Sequence, residues 1–166
     1  MSTKSYWTVT LPGTDHFPVG TVINVEEKGI KHDAQKPDWT YIPAGAAAAI
    51  CAIDENCPPR EDVTRCLMQY RAGDFQSAAM AGACLMVNWE SDALALEAAR
   101  QVLEYGAKKY SRDNWYKVPD AKTRYWAAAM RHIVLHDTGE IFDAESGLPH
   151  LAHALAGCLI LVALGA

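Results

Sequence analysis

Apolar residues recur at helical intervals along most of the chain after residue 43. The clearest case is the segment 92–110, whose apolar positions alternate at spacings of three and four. That spacing places them on one side of a helix and predicts a single core-facing stripe, formed by Leu96, Ala99, Leu103, Gly106 and Tyr110. The sequence therefore predicts one long amphipathic helix here.

Five further helices follow from apolar periodicity and from residues that start or stop helices. They are predicted over residues 44–53, 60–71, 75–89, 120–139 and 151–166. Asp120 is expected to cap its helix and Gly139 to end it. The segment 151–166 is almost wholly apolar, which is typical of a helix buried at the centre of a bundle.

The first 43 residues show a different pattern. Two short strand-like pieces, 6–10 and 21–25, are separated by Pro and Gly and predict a β-hairpin or an irregular, extended arm. The predicted fold class is therefore all-α, a helical bundle of about five to six helices with this N-terminal arm. A length of 166 residues, 50% of them hydrophobic, favours a single domain spanning 1–166.

Composition restricts the partners and the compartment. The formal net charge is -5 and no run of Lys or Arg is present, which argues against a nucleic-acid polymer as a partner. The five cysteines show no Cys-x-x-Cys spacing, as expected for reduced thiols of a cytoplasmic protein. No signal peptide is read at the start of the sequence. The apolar run at 151–166 is shorter than the roughly 20 residues of a membrane span, so no membrane partner is expected.

Candidate chemistry is concentrated in the last third of the chain. Three histidines and three carboxylates are close in sequence there: His132, Glu140, Asp143, Glu145, His150 and His153. His150 and His153 stand three apart on a predicted helix, so they share one face. Imidazoles in an apolar helix are costly to bury unless they are hydrogen-bonded or bound to an ion. This pattern predicts a divalent-metal site, with a core imidazole bonded to a backbone carbonyl as the alternative for His132.

Two charged residues have two interpretations each. Glu97 either pairs with Arg100 on a solvated flank or turns inward as a metal ligand, as carboxylates in helical bundles do. Arg131 is expected near the bundle centre, where a guanidinium needs an anion. That anion is Glu140 or Asp143 in a structural role, or a phosphate in a functional one.

Four residues near the end of the long helix are candidates for substrate contacts. Lys108 and Lys109 either reach phosphates or are simply the cations that a helix C-terminus favours. Asn114 and Trp115 follow a predicted turn, where they could hydrogen-bond and stack on a purine. A buried packing role is the alternative for Trp115.

Several ordered blocks of the sequence resemble a known family. They are residues 103–110 (LEYGAKKY), 113–115 (DNW), 131–132 (RH), 139–143 (GEIFD) and 145–154 (ESGLPHLAHA), with 31–43 upstream. Together they resemble the phage-encoded domain named dATP/dGTP diphosphohydrolase, N-terminal, a MazG-like relative. The chain departs from that family at two places. Residues 44–93 are interposed as a helical insert, and an Asn expected after the His-x-x-His pair is absent, with Gly157 nearest to its position.

The resemblance implies a helical enzyme that hydrolyses purine deoxynucleoside triphosphates to the monophosphate and pyrophosphate. Core helices at 94–166 would carry the site, after the arm at 1–43 and the insert at 44–93. Mg²⁺ or Mn²⁺ is the expected cofactor, with Co²⁺ or Zn²⁺ favoured by imidazole ligands. The expected catalytic residues are Glu97, Glu140 and Asp143, and the expected metal ligands are these three with His150 and His153. Substrate contacts are expected from Lys108, Lys109, Asn114, Trp115, Arg131 and His132.

Other interpretations stay open at this point. The Glu-x-x-Glu motif of MazG-like relatives is absent at Glu97, because position 100 is Arg. The alternative function is that of a phage protein that sequesters a purine nucleotide: it would have a nucleotide-binding pocket but would not hydrolyse the nucleotide. A helical structural protein would use the histidines only as core residues. A phage-encoded chain would work in the host cytoplasm.

The insert also bears on assembly. Its small apolar helix faces, at 46–50 and 78–85, exceed what a short bundle needs for its own core. Exposed apolar surface of this kind usually marks an interface. Related helical nucleotide hydrolases assemble into oligomers, so a homo-oligomer with a symmetric contact through the insert is expected.

Overall fold

The computed structural model describes residues 36–53 and 60–165. Within them lie six α-helices and no β-strand, so the predicted all-α bundle is confirmed. The helices are α1 (Ala44–Cys51), α2 (Val63–Arg71), α3 (Ser77–Met86), α4 (Asp92–Lys109), α5 (Ala121–Asp137) and α6 (His150–Gly165). Short 3₁₀ turns occupy Trp39–Tyr41, Arg60–Asp62 and Asn114–Lys117. The predicted hairpin or arm at 6–10 and 21–25 lies outside the described residues.

Helix α6 is the central element of the compact unit Asp38–Ala166. It packs against α5, α3, α4 and α1, and most of its residues from His150 to Leu161 are buried. This explains why the segment lacks a polar face, because a helix surrounded on all sides has no side to offer to water. In the described part of the chain, no helix combines the length and apolarity needed to cross a membrane.

The contact between α5 and α6 is close at Gly157. A Cβ at this position would lie only 3.1 Å from Ala129 Cβ and 3.7 Å from the carbonyl oxygen of Tyr125. A glycine therefore lets the two helix backbones approach where a larger residue would push them apart. The Asn that the family resemblance leads one to expect near this position would not fit without such a shift.

The prediction that the apolar faces of residues 44–93 are spare was wrong. Ala46, Ile50 and nearly all of α3 are buried within the chain itself. Gly82 packs so tightly on α1 that a Cβ there would meet Ile50 Cδ1 at 2.5 Å. These faces form part of the core of the chain itself, since α3 packs on α6, α2 and α1. They no longer argue for an interface, and the homo-oligomer stays a prediction.

The ends of α4 and α5 show which residues set the boundaries. Ser91 caps α4, because its hydroxyl oxygen accepts a hydrogen bond from Leu94 N at 3.3 Å. Asp120 stands at the N-cap of α5 with a φ of 53°, but its side chain makes no capping hydrogen bond. The position of that helix start was predicted correctly and its cap chemistry was wrong. Gly139, with a φ of 101°, ends α5 in the left-handed conformation that glycine favours.

The apolar stripe predicted on α4 divides into two parts. Ala99 is fully buried and Leu96 packs partly against the core. Leu103, Gly106 and Tyr110 line a cavity. Leu103 also packs partly against the core, whereas Tyr110 is 67% exposed. The stripe was therefore predicted on the correct face, but its C-terminal half also forms the wall of a cavity.

Candidate functional site

The candidate site is a cluster formed by one helix–loop–helix unit. α5 supplies His132, the loop 138–149 supplies Glu140, Asp143 and Ser146, and the start of α6 supplies His150 and His153. The loop is held by backbone hydrogen bonds from Asp143 N to Leu148 O (2.9 Å), from Gly147 N to Asp143 O (2.8 Å) and from His150 N to Ile141 O (2.9 Å). These bonds fix the carboxylates of the loop against the first turn of α6.

His132 contacts both of the other histidines directly. His132 Nδ1 lies 2.8 Å from His150 Nδ1, so one ring donates a hydrogen bond to the other. The rings of His132 and His153 stack at 4.4 Å with an interplanar angle of 15°. The carbonyl partner considered for His132 is therefore replaced by another imidazole. Packing of this kind is stable only while the rings are uncharged.

Ser146 ties the loop to α6. Its backbone N–H and its hydroxyl both lie 2.8 Å from Asp143 Oδ2, and its Oγ also lies 2.7 Å from His153 Nε2. An ionised Asp143 can only accept, so the one hydroxyl proton goes to it and Oγ accepts from His153 Nε2–H. That assigns the proton of His153 to Nε2 and leaves the lone pair on Nδ1.

Burial and neighbouring charges set the protonation states. Burial, reinforced by His153 and His150, lowers the pKa of His132 to about 4. Burial also lowers the pKa of His153. For Asp143, burial opposes ionisation, but the hydrogen bonds from Ser146 outweigh it and lower the pKa. At neutral pH His132 and His153 are thus neutral imidazoles beside an ionised Asp143, the protonation states that metal ligands require.

Three members of the cluster have the spacing of a metal site. One ligand atom each from His132, Asp143 and His150 lies within 4.8 Å of the others. His150 is 1% exposed, and in the described part of the chain its Nε2 has no hydrogen-bond partner. Glu140 Oε1 lies 3.4 Å from that atom without the alignment of a hydrogen bond. A buried imidazole nitrogen facing a carboxylate fits a bound divalent ion well, because a cation would satisfy both.

A cavity of about 170 Å³ adjoins this cluster. Its wall includes His132 and His153 together with Asn114 and Trp115. Apolar positions of α4 and α6, such as Leu103 and Ile160, form much of the rest. Trp115 is 7% exposed and stacks on Tyr116 at 3.6 Å, so it is both packed and exposed to the cavity. Such a pocket, mostly apolar with a few polar groups at one end, is typical of a small-molecule site.

Glu97 does not join the His/Asp group among the described residues. Both of its oxygens accept hydrogen bonds from Arg100, at 2.7 and 2.8 Å. Arg100 is buried and also donates to Glu104 at 2.7 Å. The hydrogen bonds from Arg100 hold the pKa of Glu97 below its usual value. Of the two interpretations of Glu97, the ion pair is the one that the structure contains.

The predicted phosphate-binding cations lie on the surface. Lys108 pairs with Glu104 at 2.7 Å. Lys109 donates a hydrogen bond to Glu145, and this bond raises the pKa of Lys109. Arg131 is exposed, so its expected place near the bundle centre was wrong. None of the three lines the cavity.

Comparison with known families gives a match over the C-terminal part of the chain. The family described as dATP/dGTP diphosphohydrolase, N-terminal, matches residues 71–166, more than half of the chain. The chain belongs to this family. No curated protein and no solved structure matches it.

The part of the chain that matches the dATP/dGTP diphosphohydrolase N-terminal family includes the complete His/Asp cluster. The match also includes α3, which the sequence analysis assigned to the insert at 44–93. The structure groups His132 with His150 and Asp143, whereas His132 was expected at the substrate and His153 at the metal. Ser146 received no role from the sequence, although an Asp with a Ser three residues later in a glycine-containing loop is a recognisable turn signal.

Proposed function

We propose that this member of the dATP/dGTP diphosphohydrolase N-terminal family hydrolyses purine (deoxy)nucleoside triphosphates to the monophosphate and pyrophosphate with a divalent metal. The observation that carries the proposal is the His132, Asp143 and His150 group at the edge of an aromatic, mostly apolar cavity. Family membership supports the reaction class. The base of a nucleotide would occupy the cavity, and its phosphates would lie at the His/Asp group.

The cavity would hold the base. Trp115 offers an aromatic surface and Asn114 both donors and acceptors for the polar edge of a purine. The apolar residues around them exclude water, which strengthens each polar contact at the phosphate end. In this arrangement the polyphosphate extends toward His132 and His153, which line the same cavity.

His132, Asp143 and His150 would hold the metal, and Glu140, which faces Nε2 of His150 outside that group, would act from beside it. Mg²⁺ or Mn²⁺ was expected, and two imidazoles among the donors favour Mn²⁺, Co²⁺ or Zn²⁺ over Mg²⁺. A bound ion supplies charge neutralisation on the phosphates and an acidified water. Glu140, 49% exposed at its side chain, would accept a proton from an attacking water.

The other residues would act through position and charge. Ser146 keeps Asp143 ionised and orients His153 through the hydrogen bonds that it shares with both. Lys108, Lys109 and Arg131 would approach the phosphates only from the rim, after Lys109 exchanges Glu145 for a phosphate. Glu97 would support α4 through Arg100. Sequestration without turnover is the less supported function, because a compact ligand group next to the cavity favours hydrolysis.

The test is turnover and retention measured together. The full chain is incubated with dATP, dGTP, dCTP and dTTP, each with Mg²⁺, Mn²⁺, Co²⁺ or Zn²⁺, and chromatography follows monophosphate, pyrophosphate and nucleotide bound to protein. We expect monophosphate and pyrophosphate in equal amounts from the purine nucleotides. Asp143→Asn should lose turnover and at least about tenfold in metal affinity, while Glu90→Gln, an exposed carboxylate outside the His/Asp group and the cavity, should keep both. Retention of intact nucleotide with every metal would establish the sequestering function instead.

A further inference from the structure

The turn before α1 is joined to the turn after α4 by a polar cluster. Asp38 Oδ1 accepts hydrogen bonds from the backbone N–H of Thr40, at 3.0 Å, and from its hydroxyl. Arg112 donates from Nη1 to Asp38 Oδ2 at 3.1 Å and from Nη2 to the Thr40 hydroxyl. We refer to Asp38, Thr40 and Arg112 as the Arg112 clasp. It connects two segments that are more than seventy positions apart.

The clasp fixes one aromatic side chain. The Arg112 guanidinium lies over the ring of Tyr41, 4.6 Å from the ring centre. Tyr41 is half-buried and lines the cavity that also contains Asn114 and Trp115. Arg112 itself precedes Asp113 and Asn114, two further cavity residues. The clasp therefore couples the position of Tyr41 to the turn that carries the base-binding candidates.

We propose that Tyr41 contacts the nucleobase and sets the preference for purines, and that the Arg112 clasp positions it. This inference rests on the proposed function. Arg112 covers one face of the ring and holds it in place. The rest of the ring lines the cavity and can contact a ligand. Because the ring is already held in place, binding costs little additional side-chain entropy. A purine gains more from such a surface than a pyrimidine because its ring system is larger.

The experiment separates base contacts from phosphate contacts. The full chain is titrated with dGTP, dCTP and inorganic tripolyphosphate in EDTA, which prevents turnover, and Kd is measured by calorimetry. Tyr41→Ala should raise the Kd for dGTP about tenfold, the loss expected for one base–aromatic stack. Its effect on dCTP should be smaller and its effect on tripolyphosphate absent. Tyr41→Phe keeps the ring and should bind as the wild type does.

Two further variants test the clasp. Trp39→Ala is the matched control, because Trp39 is an aromatic residue of the same turn that is 48% exposed and does not line the cavity. It should leave all three Kd values unchanged. Arg112→Ala should weaken dGTP binding in the wild-type background and add little to Tyr41→Ala, because a positioning residue acts through the side chain that it holds.

The outcomes distinguish failure of the role of Tyr41 from failure of the proposed function. If the wild type neither binds nor hydrolyses a purine nucleotide, the proposed function fails and the inference fails with it. If the wild type binds dGTP and Tyr41→Ala binds it equally well, the inference is overturned while the function stands. Equal losses for dGTP, dCTP and tripolyphosphate with Tyr41→Ala would show that Tyr41 only supports the site as a whole. A loss with Tyr41→Phe as large as that with Tyr41→Ala would assign the contact to the hydroxyl and not to the ring, and either result overturns the inference. Thermal melting confirms that each variant is folded.

Discussion

At the scale of single residues, the three histidines of the cluster differ in what surrounds them. His150 is almost wholly buried, with Nε2 facing Glu140. His153 is oriented by Ser146. His132 contacts both of the other rings. A sequence shows the number and spacing of these imidazoles, but it cannot show which pair share a ligand group, because that depends on rotamers and on the path of the loop.

The buried histidines predict a dependence of stability on pH. The pKa of His132 falls from 6.5 to about 4 on folding, so between these values the unfolded chain binds more protons than the folded one. Its contribution to the free energy of unfolding is therefore complete above about pH 6.5 and is lost as pH falls toward 4. Denaturant unfolding of chelator-treated protein at pH 7.5, 6, 5 and 4.5 measures this.

The carboxylates also titrate in this range, so a matched variant is needed. His132→Asn removes the titrating group and should show a shallower loss of stability between pH 6.5 and 4.5 than the wild type. Parallel curves for the two proteins would contradict the assignment of a depressed pKa to His132.

At the scale of elements, helix boundaries were the most predictable features. Gly139 and the apolar periodicity place α4, α5 and α6 within one or two residues of their predicted ends. These signals are local and act through the backbone of the same helix. The direction of a helix face was less predictable, as Tyr110 illustrates, because a sequence does not distinguish a core from the wall of a cavity.

The Arg100 network on α4 yields a prediction that distinguishes the two roles of Glu97. Glu97→Gln removes two charge-assisted hydrogen bonds from a buried guanidinium, so we expect a loss of about 1–3 kcal/mol in the free energy of unfolding. Metal affinity should stay unchanged. Unfolding in urea and calorimetric titration with Mn²⁺ give the two numbers, with the exposed Glu90→Gln as control. A tenfold loss of Mn²⁺ affinity at wild-type stability would make Glu97 a ligand after all.

The contact between α1 and α3 can be tested at Gly82. Gly82→Ala places a methyl group on Ile50, which is fully buried. Overpacking costs about 1–3 kcal/mol, which exceeds the gain of about 1 kcal/mol from replacing a helical glycine. We expect a lower midpoint of thermal unfolding, partly restored by adding Ile50→Val.

Gly45 is the matched control, since it lies in α1 with open space around its Cα. Gly45→Ala should be neutral or mildly stabilising. A Gly82→Ala protein more stable than the wild type would mean that α1 and α3 are less tightly packed than the structure places them.

At the scale of the whole molecule, the sequence predicted the class of fold and missed its long-range pairs. The Arg112 clasp joins segments on either side of four helices, and no local pattern marks it. The apolar faces of α1 and α3 were assigned to a partner because the sequence does not show how many neighbours α6 can accommodate. Both features depend on tertiary packing, which overrides local preference.

A ligand that binds only the folded chain raises the stability of the whole bundle. With Mn²⁺ and a purine nucleotide each present at about 100 times its Kd, the gain from the nucleotide is about 2.7 kcal/mol. For a chain of this size we expect the melting midpoint to rise by about 5–10 °C. Asp143→Asn should abolish most of this shift, and a full shift in that variant would place the ligand away from the His/Asp group.

The compactness of the cluster along the chain has a kinetic consequence. All of its members lie between residues 132 and 153, in two helices and the loop that joins them. Closing so short a loop costs little chain entropy, whereas the cavity wall also needs α4 and the turn containing Tyr41. We therefore expect the metal ligands to assemble early during folding, with the nucleotide pocket completed only when the distant segments dock.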